Sequence, residues 1–363
     1  MLVESAGKIL GDLVTPRLIN EAESGAWPKA AWVALDDAGF ARAALPESLG
    51  GSGLPLAHAL SIGALCGRHA LPLPLLESIV AGWLLHHAGL AVPQDPVSFG
   101  TASPDARLLR SGGGWTFSGT VRNVPWAGCA ARIAVVLPDS VGGAWVVGVD
   151  PALAENFPSA SLAGEPRSRL RFLDAPLPAE EAAPLAASAG LEGVAQPAMT
   201  LGALLRTLQM AGALDSALDL AVRYAGDRIA FGRPLAKLQA VQQNLAVLAG
   251  QAAAAEVAAG MALGALAEGL SGSALETAVG MAKLRAGEAA GIGAGLAHQI
   301  HGAMGFTHEH SLHHFTRRLW SWRDEYGNES YWALRAGAHF AAGGSDGYWN
   351  LITACAQLSP TQP

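Results

Sequence analysis

Hydrophobic and polar positions divide this chain into three stretches of different texture. Over residues 30–39 apolar side chains return at helical spacing until a glycine stops the run. Residues 45–53 hold three glycines and a proline, which predicts a loop, and 57–69 and 75–89 resume the helical pattern. From 96 to 190 short alternating runs take over, at 115–120, 133–137, 144–149 and 170–173, bounded by Gly, Pro and Asp. Runs of that length and spacing predict a small antiparallel sheet or barrel, with the barrel as the expected form. Residues 176–189, rich in Ala and Pro, read as a surface connection. Long Ala-rich stretches at 199–228, 235–268, 271–302 and about 311–337 then predict four helices, enough for an antiparallel bundle. The tail after residue 349 is expected to fray. The fold class is therefore α+β, mostly α. A helical domain is expected over 1–95, a β-barrel over 96–190 and a four-helix bundle over 191–363.

Composition narrows the class of function. The chain has 363 residues, 51% hydrophobic and 15% charged, so it can bury a large core. With 23 basic against 30 acidic residues its net charge is −7, which argues against nucleic acid or an anionic membrane as partner. Low charge with much Ala and Gly fits apolar surface buried between subunits. Cys66, Cys129 and Cys355 stand far apart, so neither a disulfide framework nor a zinc ribbon is expected, and a reducing cytoplasm fits. Residues 1–13 carry Glu4 and Asp12 and do not read as a signal peptide. Residues 252–270 come nearest to a membrane span, but Glu256 and Glu268 with many small residues predict a bundle helix.

Two segments carry candidate chemistry. The first is Arg228-Ile-Ala-Phe231-Gly232-Arg-Pro, followed by Gln239 and Gln242 one turn apart. A guanidinium can grip a pyrophosphate through paired charged hydrogen bonds, and it can equally cap a helix C-terminus. The second is Gln299-Ile-His-Gly302-Ala303-Met-Gly305-Phe306-Thr307, running on to Arg323-Asp-Glu325-Tyr326-Gly327-Asn328. Its glycines admit a ligand close to the backbone, or simply turn one helix into the next. His308, His310, His313 and His314 read as a polar helix start, and no metal site is expected. Trp320, Trp322 and Trp332 read as core or interface anchors. Gly291, Gly293 and Gly295 lie in a helical run and not after a strand, which excludes a dinucleotide turn. No G-x-S-x-G supports a serine hydrolase.

In their order and spacing these motifs resemble the acyl-CoA dehydrogenase family. The family carries Arg-x-x-Phe-Gly between the first two bundle helices and Gln-x-x-Gly-Gly-x-Gly-Phe before the last. The loop at 45–53 and the helical–β–helical texture fit as well. The resemblance implies that Arg228 and Phe231 hold FAD, and that Gln299 with the Gly302-Ala303 turn holds the diphosphate-adenine arm from a neighbouring subunit. It places Gln239 near that arm and Asn328 beside the cofactor. A homo- or hetero-tetramer follows, with an acyl-CoA substrate and an electron-transfer flavoprotein as acceptor. The expected reaction is FAD-dependent α,β-dehydrogenation of the thioester, a carboxylate taking the α-proton while hydride passes to flavin N5.

The chain departs from the family where that carboxylate belongs. One family position for the base falls on Tyr326 and the other on Gly202, neither of them an acid. Glu325, one residue earlier, is the candidate base. The alternative for Asp324 and Glu325 is a solvated pair facing Arg317, Arg318 and Arg323. The family's Thr-Glu-Pro loop is truncated here at 100–105, and its Trp strand reads Gly-Thr-Val-Arg-Asn-Val-Pro-Trp126, with Trp126 as a substitute stacking ring. Some bacterial relatives that act on steroid side chains pair two homologous subunits, only one carrying the catalytic face. The expectation is thus a dehydrogenase, alone or within such a pair; the alternative is a catalytically degenerate subunit that completes a partner's FAD site.

Overall fold

The computed structural model describes residues 2–138, 143–230 and 232–356, with side chains to residue 344. Six helices come first: α1 (Leu2–Leu13), α2 (Pro16–Glu23), α3 (Lys29–Asp37), α4 (Leu56–Leu60), α5 (Gly63–Arg68) and α6 (Leu75–His87). Thr15 caps α2 by accepting from the Leu18 amide, with Pro16 at the first helical position. α6 is buried on every side from Leu75 to Leu85, which is why its run shows little amphipathic pattern.

Eight strands follow: β1 (Val97–Ala102), β2 (Arg107–Ser111), β3 (Gly114–Pro125), β4 (Arg132–Pro138), β5 (Ala144–Val149), β6 (Glu155–Ala160), β7 (Pro166–Leu177) and β8 (Ala182–Pro184). They form one sheet in the order β6-β7-β3-β1-β4-β5-β8, with β2 paired to the first half of β3. This corrects the expected barrel. The sheet is open, ending at β6 on one side and β8 on the other, and among the described residues no pairing joins the two ends. It is also mixed, because β1 and β4 run parallel from Val97↔Arg132 to Thr101↔Val136. Closure depends on pairing the first and last strands of the path, a non-local property that short alternating runs do not encode.

The C-terminal helices are α7 (Pro197–Asp227), α8 (Gln239–Ala267), α9 (Gly272–His301), α10 (Leu312–Asp324) and α11 (Glu329–Ala356). A two-residue ladder, β9 (Ile229–Ala230) with β10 (Arg233–Pro234), joins α7 to α8. The fourth expected helix is thus two, broken at 325–328, where Tyr326 and Gly327 have φ of +54° and +91°. Side-chain space at Gly327 is taken by Tyr331 and Trp332, so only glycine fits that left-handed turn. Asn328 accepts from the Tyr331 amide and so caps α11. Helix continues to Ala356, past the point where fraying was expected, with a break in its φ/ψ at Gly344. α8 has the length and hydropathy of a membrane span, yet it lies along α9 and α7 with a stripe of Leu248, Ala252, Ala255, Ala259, Ala262 and Ala265 buried.

One core runs through all of this. Leu60 and Ile62 of the first helical layer, Phe99 and Ala134 of the sheet and Leu204 and Leu208 of α7 belong to a single buried cluster. α5 meets α7 at backbone distance. A side chain added at Gly212 would collide with the Ala64 carbonyl, and one at Gly67 with the Gln209 carbonyl. The other face of the sheet buries its own core of Phe117, Val124, Leu170 and Phe172.

Candidate functional site

The first half of α7 is buried almost all round, from Pro197 to Leu214. Against it sits the 325–328 turn, and the two positions where the resemblance places a base therefore meet. The Tyr326 ring fills the space beside Gly202, so that any side chain at Gly202 would collide with it. The ring also stacks on Phe99 of β1, centroids 5.7 Å apart at 18°. Burial pushes the Tyr326 phenol well above its usual range, so it stays neutral. Two residues along β1, Thr101 lines a cavity of about 740 Å³ between the sheet and the start of α7, with Ser103, Arg122, Trp145 and Gln196.

Glu325 faces inward and is held by two arginines. Arg167 Nε donates to its Oε1 at 2.8 Å and Arg206 Nε to its Oε2 at 2.7 Å, and its side chain is 12% exposed. Burial works to raise its pKa, but the charges and hydrogen bonds of Arg167 and Arg206 outweigh that and hold it below the ordinary value. Neither reading of the sequence paired Glu325 with these residues. Asp324 alone is exposed, and Arg317 and Arg318 face Glu23 instead.

The two pairs are links in a longer chain of alternating charge. Arg206 Nη1 lies 2.8 Å from Glu77 of α6 and donates to Gln209 at 2.5 Å. Arg167 Nη2 donates to Glu165 at 2.8 Å, and Trp322 Nε1 donates to the same oxygen at 3.1 Å. Glu165 reaches Arg318 at 3.3 Å, and Arg318 donates to Glu23 of α2 at 2.7 Å, where Arg317 also binds. Glu77, Glu165, Glu325 and Glu23 thus alternate with Arg206, Arg167, Arg318 and Arg317. Arg206 and Arg318 are completely buried. Burial raises the Glu23 carboxyl, and His314, Arg318 and Arg317 outweigh it to leave a pKa of about 2. Trp126, expected as a stacking ring, is buried under the Arg167 guanidinium, 5.1 Å from its ring centroid.

This network was missed in the sequence, although a signal existed. Glu77 and Arg206 each stand alone in an apolar helical run. A lone charge on a helix buried all round must find a partner inside.

The remaining predicted residues lie elsewhere. α7 ends where α8 begins and where α9 returns, so Arg228, Gln239, Gln299, Gly302 and Ala303 share one end of the bundle. Tyr224 stacks on His301 there, centroids 4.6 Å apart. All five are exposed, and the side chains of Arg228, Gln239 and Gln299 have no hydrogen-bond partner among the described residues. Gly302 has φ +58°, with open space where a side chain would stand. A free guanidinium, two free amides and an open glycine turn suit a phosphodiester, so this donor set fits the diphosphate of a dinucleotide. Phe231 lies outside the described residues. Glu325 and Asn328 sit at the other end of α10, whose 13 residues span about 20 Å.

Known proteins resemble this chain along most of its length. Residues 190–324 match the family described as acyl-CoA dehydrogenase, C-terminal domain. The acyl-CoA dehydrogenase IpdE2 of Mycobacterium tuberculosis is 27% identical over 329 residues, 88% of this chain and 89% of that one. In fold, the chain is similar to a chain of the ChsE4-ChsE5 complex from Mycobacterium tuberculosis. That likeness has a TM-score of 0.83 and 22% identity, over 95% of this chain and 97% of the other. It is similar also to a chain of a Tcur3481-Tcur3483 steroid ACAD variant, with a TM-score of 0.82 and 24% identity over 94% and 97%.

Proposed function

Because this chain belongs to the acyl-CoA dehydrogenase family, we propose that it is the non-dehydrogenating subunit of a hetero-oligomeric enzyme and completes the FAD site of a homologous partner. The observation that carries this is the Tyr326 ring lodged against Gly202. In the reaction that the family resemblance implies, a carboxylate takes the α-proton, and it has to lie within reach of the substrate. Both positions that could present one are occupied by the contact between a phenol and a glycine. The nearest acid, Glu325, is kept ionised and turned away by Arg167 and Arg206. To act as a base it would have to leave two guanidinium partners in a buried site, which is costly.

In this reading the chain's own residues bind and exclude. Arg228 would hold a phosphate of FAD, Gln239 and Gln299 would donate amides to it, and the open Gly302-Ala303 turn would leave room for it beside the backbone. FAD, when bound, supplies the hydride acceptor for a dehydrogenation whose base belongs to the partner. Tyr326 and Phe99 keep acyl chain and water out of this chain's interior. By likeness to the named hetero-subunit assemblies, the partner's substrate is read as a CoA thioester of a steroid-derived acid, with an electron-transfer flavoprotein as acceptor.

Co-expression with a homologous acyl-CoA dehydrogenase from the same organism tests the reading. The lone chain should show no acyl-CoA-dependent reduction of an artificial acceptor, and the assembly should show it. Turnover by the lone chain would overturn the proposal. Within the assembly, Arg228→Ala should lower FAD retention by about 10- to 100-fold, the worth of a charged hydrogen bond of roughly 1.5–3 kcal/mol. Unchanged flavin content after dialysis would remove Arg228 from the cofactor site.

A further inference from the structure

Tyr326 holds a position that it would not keep unaided. Its φ of +54° lies in the left-handed region, unfavourable for a bulky side chain, and its buried hydroxyl has no hydrogen-bond partner among the described residues. Relaxation would turn the ring outward. Anchors on either side of it prevent this. Ahead of it, Glu325 is tied to Arg167 and Arg206. Behind it stands Lys283 of α9, 1% exposed, whose Nζ donates to the Arg323 carbonyl at 2.7 Å and the Gly327 carbonyl at 2.8 Å. Trp332 Nε1 adds a bond to the Tyr326 carbonyl at 3.0 Å.

We propose that Lys283 is the latch of a closed turn: its ammonium pins the backbone on both sides of Tyr326 and so holds the ring against Gly202. The inference rests on the reading above, in which that ring closes the acyl site. Three features support a latch over ordinary packing. The bonds of Lys283 go to backbone carbonyls flanking the ring. One of them, at Arg323, lies in the last turn of α10, where a cation is favoured and no helical amide remains to pair. A charge this deeply buried is retained at a cost to stability, which simple core filling by an apolar residue would avoid. Lys283 is thus a positioning residue, acting through the turn.

The test is the chemical accessibility of Tyr326 in the purified full chain. Tetranitromethane nitrates exposed phenols, and peptide mapping separates the four tyrosines. Tyr326 should be protected in the native protein. In Lys283→Met, which keeps the side chain's length and removes its donors, nitration of Tyr326 should quicken about tenfold or more while the far-ultraviolet circular dichroism is unchanged. Exchange of the 324–328 amides should quicken with it. Lys283→Gln, which retains an amide donor, covers the case in which the methionine variant does not fold, and should fall between the two. Unaltered protection in a folded variant, or ready nitration of Tyr326 in the native chain, would overturn the latch. The readout needs no flavin, partner or turnover. A lone chain that dehydrogenates acyl-CoA with Tyr326 still protected would instead overturn the subunit reading and leave the latch standing.

Discussion

Arg206→Met is expected to lower folding stability by about 3–5 kcal/mol, the cost of removing one partner from a buried ion pair. Methionine matches the arginine stem in volume and helix propensity, so the effect isolates the charge. Arg206 is fully buried and touches Glu77, itself 1% exposed, as well as Glu325 and Gln209. Without the guanidinium, Glu77 loses the one ion pair it makes among the described residues and Glu325 keeps only Arg167. Urea unfolding should show a lower midpoint with the slope unchanged. Adding Glu77→Gln should restore part of the loss, since a neutral amide is cheaper to bury than an unpaired carboxylate. A loss under about 1 kcal/mol, the range of exposed pairs, would mean that water reaches this network.

Gly212→Val is the second large effect, at about 3 kcal/mol or more. Glycine is usually a poor helix residue, and at Gly226 in the same helix the space beyond Cα is open. Gly226→Ala should therefore be neutral or stabilise by up to about 1 kcal/mol. At Gly212 the Ala64 carbonyl of α5 occupies the place of a side chain, and the Arg68 amide is close by. Backbone cannot rotate away as a side chain can, so α5 must shift and lift Cys66 and the neighbouring Leu60 and Ile62 from the core. Thermal unfolding of the two variants side by side checks the contrast. Equal stability would mean that α5 and α7 pack less closely than described.

The helices were legible because period and composition agree in them. The stretches at 199–228, 235–268 and 271–302 match α7, α8 and α9 to within a few residues. The break at 325–328 was not foreseen, although Gly327 and Asn328 are a positive-φ residue and an N-cap side by side. The strands too were placed correctly in part. Their union into an open mixed sheet was not, because the parallel β1–β4 pair joins residues more than thirty positions apart. The site divides in the same way. The bundle-end residues Arg228, Gln239, Gln299, Gly302 and Ala303 lie in two contiguous segments, and the order of helices brings them together. The interior belongs to Glu77, Arg167, Arg206 and Glu325, on four different elements, and nothing in the sequence joins them except that each must be neutralised.

The central claim, that this chain lends half of a flavin site and no base, is tested most directly by the visible absorption spectrum of the purified protein. Expressed alone it should be colourless. Co-expressed with its homologous partner it should carry a flavin band that an acyl-CoA bleaches. A lone chain that is yellow with stoichiometric flavin, and bleached by an acyl-CoA, would contradict the account and make Glu325 a base after all.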